Sequence, residues 1–221
     1  MFRKVLIAED LDSINKAVTD VLEDLNVTEI NHAYYCDEAM LKVKRSAHDG
    51  EPFDLLICDL SFKTDHRTQK LNSGEELVAA LRPEFPELKI IINSIEDHPQ
   101  TVRNLFNNSK IDAYVCKDRH GMKYLKAAIE AVAAGKNYVS PQIEETMKQE
   151  KPAKLSEHEM LLLTHIANGL TQDDIMQKFK EEGRKPRSRS SIEKHLRELR
   201  EEFNAQTTPH LISILKDLRL L

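Results

Sequence analysis

Short apolar runs alternate with helical patterns over the first 135 residues. The runs Lys4 to Ala8, Glu29 to Tyr34, Phe53 to Cys58, Lys89 to Asn93 and Ala113 to Cys116 are mostly continuous, as strands buried on both faces require. Between the first two, Ile14, Ala17, Val18, Val21, Leu22 and Leu25 recur at spacings of three and four, which gives a helix one apolar face. Tyr124, Leu125, Ala128, Ile129 and Val132 repeat that pattern after the fifth run, and Gly135 stands where this helix needs its stop. The order predicts an α/β fold, a doubly wound five-stranded parallel sheet over residues 1–135.

Residues 136–153, with Pro141 and Pro152 and a polar stretch between them, read as a linker with room for a short helix. From 154 to 221 the pattern is helical throughout and predicts a small all-α domain. Ser156 with Glu159 and Thr171 with Asp174 each place a capping hydroxyl three residues before an acid, so each starts a helix, and Gly169 stops the first. A third helix spans about Ser188 to Asn204, and a fourth runs from Thr208 with Pro209 in its first turn. That last helix carries Leu211, Ile212, Ile214, Leu215, Leu218, Leu220 and Leu221, more apolar surface than one core stripe uses. The surplus predicts a partner helix in a second copy, hence a homodimer.

The net charge of −5 hides an asymmetry. Residues 1–153 hold 20 Lys/Arg against 26 Asp/Glu, whereas 154–221 hold 12 against 11. Seven of the latter bases, Arg184, Lys185, Arg187, Arg189, Lys194, Arg197 and Arg200, fall within 17 residues that contain two acids. Such a stripe attracts phosphate. In the third tail helix Ile192, Leu196, Leu199 and Phe203 define the buried face, which turns Ser190, Lys194 and Arg197 outward with Glu193 and Arg200 flanking them. A helix of that kind suits the major groove of double-stranded DNA, although a solvated charged helix has the same pattern. With no tryptophan and few aromatics, nothing supports a stacking surface for single strands.

The opening segment MFRKVLIAED is apolar over too few residues for a leader or a membrane span, which predicts a cytoplasmic protein without membrane contact. Cys36, Cys58 and Cys116 lack metal-type spacing and read as small core residues. In a doubly wound sheet the chemistry gathers at the C-terminal ends of the strands. Those ends carry Glu9 and Asp10, Asp59, Ser94, and Lys117. Each alone is ordinary capping material; together they offer three carboxylates for a hard cation such as Mg²⁺, a hydroxyl and an ammonium, a set suited to phosphoryl transfer onto Asp59. Neither GxxxxGK[ST] nor GxGxxG occurs, which argues against nucleotide binding. An aspartyl-phosphate hydrolase would lack its general acid, because Ser61 stands two residues after Asp59.

Through VLIAED, DLLICDL, IINS and YVCKD, residues 1–135 resemble the receiver domain of two-component response regulators. The resemblance implies that Asp59 accepts the phosphoryl group with Ser94 and Lys117 assisting, and that Asp10, Asp59 and the backbone carbonyl of Ser61 bind Mg²⁺ with Glu9 as a second acidic partner. Ser94 and Tyr114 match the family's switch pair, in which the hydroxyl moves toward the phosphate and the ring rotates inward. The segment from Ser61 to Ser73 departs from the family in being longer and more polar; His66 and Asp65 within it could imitate a metal site, but a solvated loop is the expectation. Residues 155–215 resemble the LuxR-type helix-turn-helix of the NarL/FixJ branch, through LSEHEMLLLTHIANGLTQDDIMQKF and SSIEKHLRELREEFNAQTTPHLISIL. That implies base-facing roles for Glu193, Lys194 and Arg197, with Ser190 beside them, and phosphate contacts by Arg189 and Arg200. Lys180 to Arg187 inserts about six residues relative to that module, which either adds backbone contacts through Arg184, Lys185 and Arg187 or changes the docking angle.

Together these readings predict a transcription regulator served by a sensor histidine kinase, modified once per cycle rather than turning over as an enzyme. An alternative keeps the DNA reader but makes the first domain an unphosphorylated docking module, with the unusual 61–73 loop as its motive.

Overall fold

The computed structural model describes residues 2–63, 66–149, 155–184, 188–203, 205–218 and 220–221. The chain separates into two compact units, Met1–Lys151 and Pro152–Leu221. The first is a parallel sheet of β1 (Lys4–Ala8), β2 (Glu29–Ala33), β3 (Leu55–Cys58), β4 (Lys89–Ser94), β5 (Ala113–Cys116) and β6 (Tyr138–Val139), in the order β2-β1-β3-β4-β5-β6. Helices α1 (Asp12–Asp24), α2 (Cys36–His48), α3 (Gly74–Glu84), α4 (Pro99–Asn108), α5 (Gly121–Ala133) and α6 (Pro141–Gln149) accompany it.

Successive side chains of a strand point to opposite faces, and the cores divide accordingly. Leu6, Leu56, Ile90, Ile92 and Tyr114 meet α2, α3 and α4 on one face, while Val5, Ile7, Leu55, Ile57, Ile91 and Val115 meet α1 and α5 on the other. This two-sided burial is why the strands read as continuous apolar runs. Of the α1 stripe, Val18, Leu22 and Leu25 are buried with Ile14 and Val21 packed beside them, and Leu125, Ala128, Ile129 and Val132 bury α5. Gly135 ends α5 at φ +73°, a conformation that costs glycine least.

The expected sheet of five strands has six, and residues 136–149 are not a linker. Tyr138 and Val139 pair in parallel with Ala113 and Tyr114. The fully buried Ser140 then donates its backbone N–H to the Tyr114 carbonyl (3.0 Å) and accepts at Oγ from the Cys116 N–H (2.8 Å). Helix α6 follows and places Ile143 in the sheet core. Two paired residues leave no periodicity, so β6 had no pattern to betray it, whereas α6 is the short helix for which the segment had room. Residues 150–153 of the expected linker lie outside the described residues.

The second unit is helical as expected: α7 (Glu157–Ala167), α8 (Gln172–Glu181), α9 (Arg189–Glu202) and α10 (Thr208–Asp217). Both capping boxes form. Ser156 Oγ accepts from the Glu159 N–H (3.3 Å) while Glu159 accepts from the Ser156 N–H (2.7 Å), and Thr171 and Asp174 do the same at 3.2 and 3.0 Å. Leu162, Leu163, Ile175, Phe179, Ile192, Leu196, Leu199, Leu211 and Leu215 make the core. Ile212, Ile214, Leu220 and Leu221 are half-buried against that same core, so much of the surplus apolar surface of α10 is used at home. No helix among the described residues is long and apolar enough to cross a membrane.

His158 of α7 stacks obliquely on Phe179 (ring centroids 5.0 Å apart) with His195 of α9 at 6.5 Å, and its buried Nε2 has no hydrogen-bond partner. Burial, reinforced by His195 and Arg184 and opposed by Glu159, holds its ring below the ordinary value near 6.5. An unfolded histidine therefore takes up a proton at a pH where the folded one does not, so this contribution is full above about pH 6.5 and is lost as the pH falls below it. The melting temperature of the second unit should fall as the pH is lowered through about 6.5, and His158→Gln should flatten that slope. An unchanged slope would remove His158 as its source.

Candidate functional site

Strand order brings the expected residues to one end of the sheet. Glu9 and Asp10 follow β1, Asp59 follows β3, Ser94 ends β4 and Lys117 follows β5. Carboxylate oxygens of Glu9, Asp10 and Asp59 lie within 4.8 Å of one another, and no other group of three or more potential metal ligands occurs among the described residues. Lys117 Nζ donates to Glu9 Oε2 and to Asp59 Oδ2, both at 2.6 Å, with all three side chains nearly buried. Burial pushes the Glu9 carboxyl up, and Lys117 opposes this only in part. The same burial would lower Lys117, but hydrogen bonds to Asp59 and Glu9 outweigh it and hold the ammonium above its usual range.

Backbone N–H groups hold further oxygens of the three carboxylates. Asp59 Oδ1 accepts from the N–H groups of Leu60 (2.6 Å) and Ser61 (3.3 Å), Glu9 Oε1 from Leu11 (3.1 Å), and Asp10 Oδ2 from Lys63 (2.8 Å). Three carboxylates against one ammonium leave a surplus of negative charge, and the donors are all hard oxygen, a set that fits a divalent cation such as Mg²⁺. Asp10, Asp59, Ser61 and Lys117 line an open cleft of about 510 Å³ with Leu11 and Phe62 on its wall. A concavity of about 580 Å³ elsewhere, between Phe2, Phe53 and Phe85, contains none of these groups.

Ser94 is fully buried, and its Oγ lies 3.5 Å from the Glu96 N–H. The ring of Tyr114 is also fully buried, in the inward position, with its hydroxyl donating to the Glu96 carbonyl at 2.5 Å. Burial raises that phenol strongly, so the donating form persists. Both residues of the expected switch pair thus bear on the segment after β4.

The 61–73 segment is tied down at several points. Ser61 and Ser73 form an antiparallel bridge, Asp37 at the start of α2 accepts from the N–H groups of Lys70 (2.8 Å) and Leu71 (3.1 Å), and Arg67 stacks over Tyr35 at 4.6 Å. His66 is exposed; Asp65 lies outside the described residues. Gly74 follows, so close to Asp59 that a Cβ there would stand 1.8 Å from the Asp59 carbonyl oxygen. Neither Asp37 nor Gly74 was anticipated, since their partners are distant in sequence.

On α9, Arg189, Ser190, Glu193, Lys194 and Arg197 are exposed and Arg200 is half-buried. Arg189 pairs with Asp173 of α8 and with Glu193, both at 3.3 Å, and Lys194 approaches Glu198 at 3.7 Å. Arg200 Nε donates to the Leu196 carbonyl at 3.3 Å. Arg187, and Lys185 of the expected insertion, lie outside the described residues, while Arg184 pairs with Glu182 at 3.0 Å.

The fold and this site together define a class. The chain has the two-part architecture of response regulators, a receiver-like α/β unit and a helix-turn-helix-like α unit. No protein-family model matches it. It is 26% identical over 175 residues, 75% of each chain, to the response regulator GacA of Pseudomonas aeruginosa. RcsB from Salmonella enterica serovar Typhimurium, solved bound to promoter rprA in the presence of a phosphomimetic, matches 96% of this chain and 98% of its own at 20% identity and TM-score 0.67. A LuxR-family two-component response regulator from Aurantimonas sp. SI85-9A1 matches 66% of this chain and 95% of its own at 18% identity and TM-score 0.56. The resemblance read from the sequence motifs is borne out in the fold.

Removing the ammonium would leave two nearly buried carboxylates facing each other. Lys117→Met should therefore cost about 3 kcal/mol in the presence of a chelator. Gly74→Ala should cost about 3 kcal/mol or more, because backbone must move to admit the methyl group. Urea unfolding reads both, and a Gly74→Ala chain as stable as wild type would refute the close approach.

Proposed function

We propose that this chain is a phosphorylation-controlled regulator that binds double-stranded DNA, accepting a phosphoryl group on Asp59 from a sensor histidine kinase. The observation that carries this reading is the shared ammonium of Lys117 between Glu9 and Asp59, beside Asp10, in a chain that also presents a basic exposed helix. The curated relative is a response regulator, and RcsB, of like fold, is solved bound to promoter DNA.

In this mechanism Glu9, Asp10, Asp59 and the backbone carbonyl of Ser61 would hold Mg²⁺, which when bound neutralises phosphoryl oxygens. Lys117 orients Asp59, so that a carboxylate oxygen forms an O–P bond as the P–N bond of a phosphohistidine breaks. The leaving imidazole keeps the electron pair, and the product is an acyl phosphate. Lys117 then pairs with a phosphoryl oxygen and the Ser94 hydroxyl donates to another, while Tyr114 stays inward and links Ser94's segment to the helices beyond. One modification per cycle, with slow loss of the phosphoryl group, makes this a switch rather than a turnover enzyme.

On DNA, Lys194, Arg197 and Glu193 would face base edges with Ser190, and Arg187, Arg189 and Arg200 would meet phosphates. Arg189 must exchange Asp173 and Glu193 for a phosphate, an exposed pairing that costs little to break. A homodimer on paired half-sites is the natural assembly, with the half-buried face of α10 as its nearest apolar surface.

Intact-mass measurement with Mg²⁺ and a small phosphodonor should show one phosphoryl group on wild type and none on Asp59→Asn; a modified Asp59→Asn chain would overturn the assignment. Binding selections should show Lys194→Ala losing about 1–3 kcal/mol on the preferred sequence, whereas Arg200→Ala should weaken all sequences alike and reduce the salt dependence. An unchanged preference in Lys194→Ala would displace α9 from the groove.

A further inference from the structure

One buried polar side chain beside the acidic site has no part in the chemistry above. Asn15 lies in the first turns of α1 and is 4% exposed. Its Nδ2 donates to the backbone carbonyl of Glu9 at 2.9 Å, and its Oδ1 lies 3.1 Å from Nδ1 of His32 on β2. A carbonyl can only accept, so the amide must turn its NH₂ group toward Glu9 and its oxygen toward His32. His32 Nδ1 must then carry the hydrogen. That donor is present in the neutral ring of this tautomer and in the protonated ring alike, so the link survives titration of the histidine.

What the amide holds is the peptide plane joining Glu9 to Asp10. The Glu9 N–H is fixed by the Ala33 carbonyl at 3.0 Å, its side chain by Lys117 and the Leu11 N–H, and its carbonyl by Asn15. Both acids leave the chain from the two ends of that plane. A rotation there would swing Asp10 away from Asp59 without touching any carboxylate directly. Groups that orient metal ligands through a second layer of hydrogen bonds typically change cation affinity by 10–100-fold when removed.

We propose that Asn15 is a positioning residue for the acidic site, with its amide oriented by His32, and that this pair sets the cation affinity of Glu9, Asp10 and Asp59. The inference rests on the cation site of the proposed function. Asn15 contacts neither cation nor phosphoryl group and acts only through the Glu9–Asp10 peptide. His32 is more distant still, and its effect should be smaller and replaceable by any donor of similar reach.

The test is calorimetric titration of the full chain with Mg²⁺, at a temperature where circular dichroism shows each variant folded. Asn15→Leu should weaken Mg²⁺ binding about tenfold or more, and His32→Leu a few-fold, while His32→Gln, which keeps a donor toward Oδ1, should return to the wild-type value. A merely structural role would lower the unfolding temperature of these variants and leave the affinity of the folded chain unmoved; that result overturns the inference. Should Asn15→Leu fail to fold, the histidine pair decides, because equal affinities in His32→Leu and His32→Gln also overturn it. A wild-type chain that binds no Mg²⁺ overturns the cation site itself and this inference with it, whereas a wild type that binds beside an unaffected Asn15→Leu overturns the role of Asn15 alone.

Discussion

The ammonium of Lys117, held 2.6 Å from both Glu9 and Asp59, is the interaction on which the first unit turns. Three carboxylates gathered at the ends of neighbouring strands repel one another, and the fold can hold them together only by placing a cation among them. Lys117 reaches that place because β5 ends one strand beyond β4, and because the sheet order puts β1 and β3 side by side on the near side of it. The arrangement is poised rather than closed: one ammonium does not neutralise three acids, and the backbone N–H groups of Leu11, Leu60, Ser61 and Lys63 hold carboxylate oxygens without cancelling the surplus. A set of oxygen donors so charged fits a hard divalent cation.

Around this centre the polar groups are organised in layers. Asn15 and His32 fix the turn that carries two of the acids, Gly74 lets α3 approach the backbone of the third, and Asp37 pins the long segment between them by its own N–H groups. On the far side Ser94 and Tyr114 connect the site to the segment after β4. The second unit is simpler. Two capping boxes fix the starts of α7 and α8, Phe179 fills the centre, and α9 is left with its basic face outward.

Most of the candidate site was legible because its residues follow immediately after apolar runs, and a doubly wound sheet gives the ends of such runs a fixed meaning. The helix starts of the second unit were legible for a comparable reason: a hydroxyl three residues before an acid is a local device, complete within four residues. Less legible were features whose partners lie far apart in the chain. The Asn15–His32 contact spans 17 residues and the Asp37–Lys70 contact 33, and at neither position does the residue type announce its partner. β6 was missed because two residues have no period, and α10 was read as having a surplus face that its own core half-covers.

The runs that become β1 to β5, the positions of Glu9, Asp10, Asp59, Ser94 and Lys117 at strand ends, and the outward basic face of α9 are local consequences of periodicity, and the sequence by itself determines them. Which groups then touch is a matter of packing. That Lys117 bridges two acids rather than one, that Tyr114 lies inward, that Gly74 has no room for a methyl group and that residues 136–149 complete the sheet were decided only by the tertiary structure, because contact distances depend on how elements distant in sequence settle against one another.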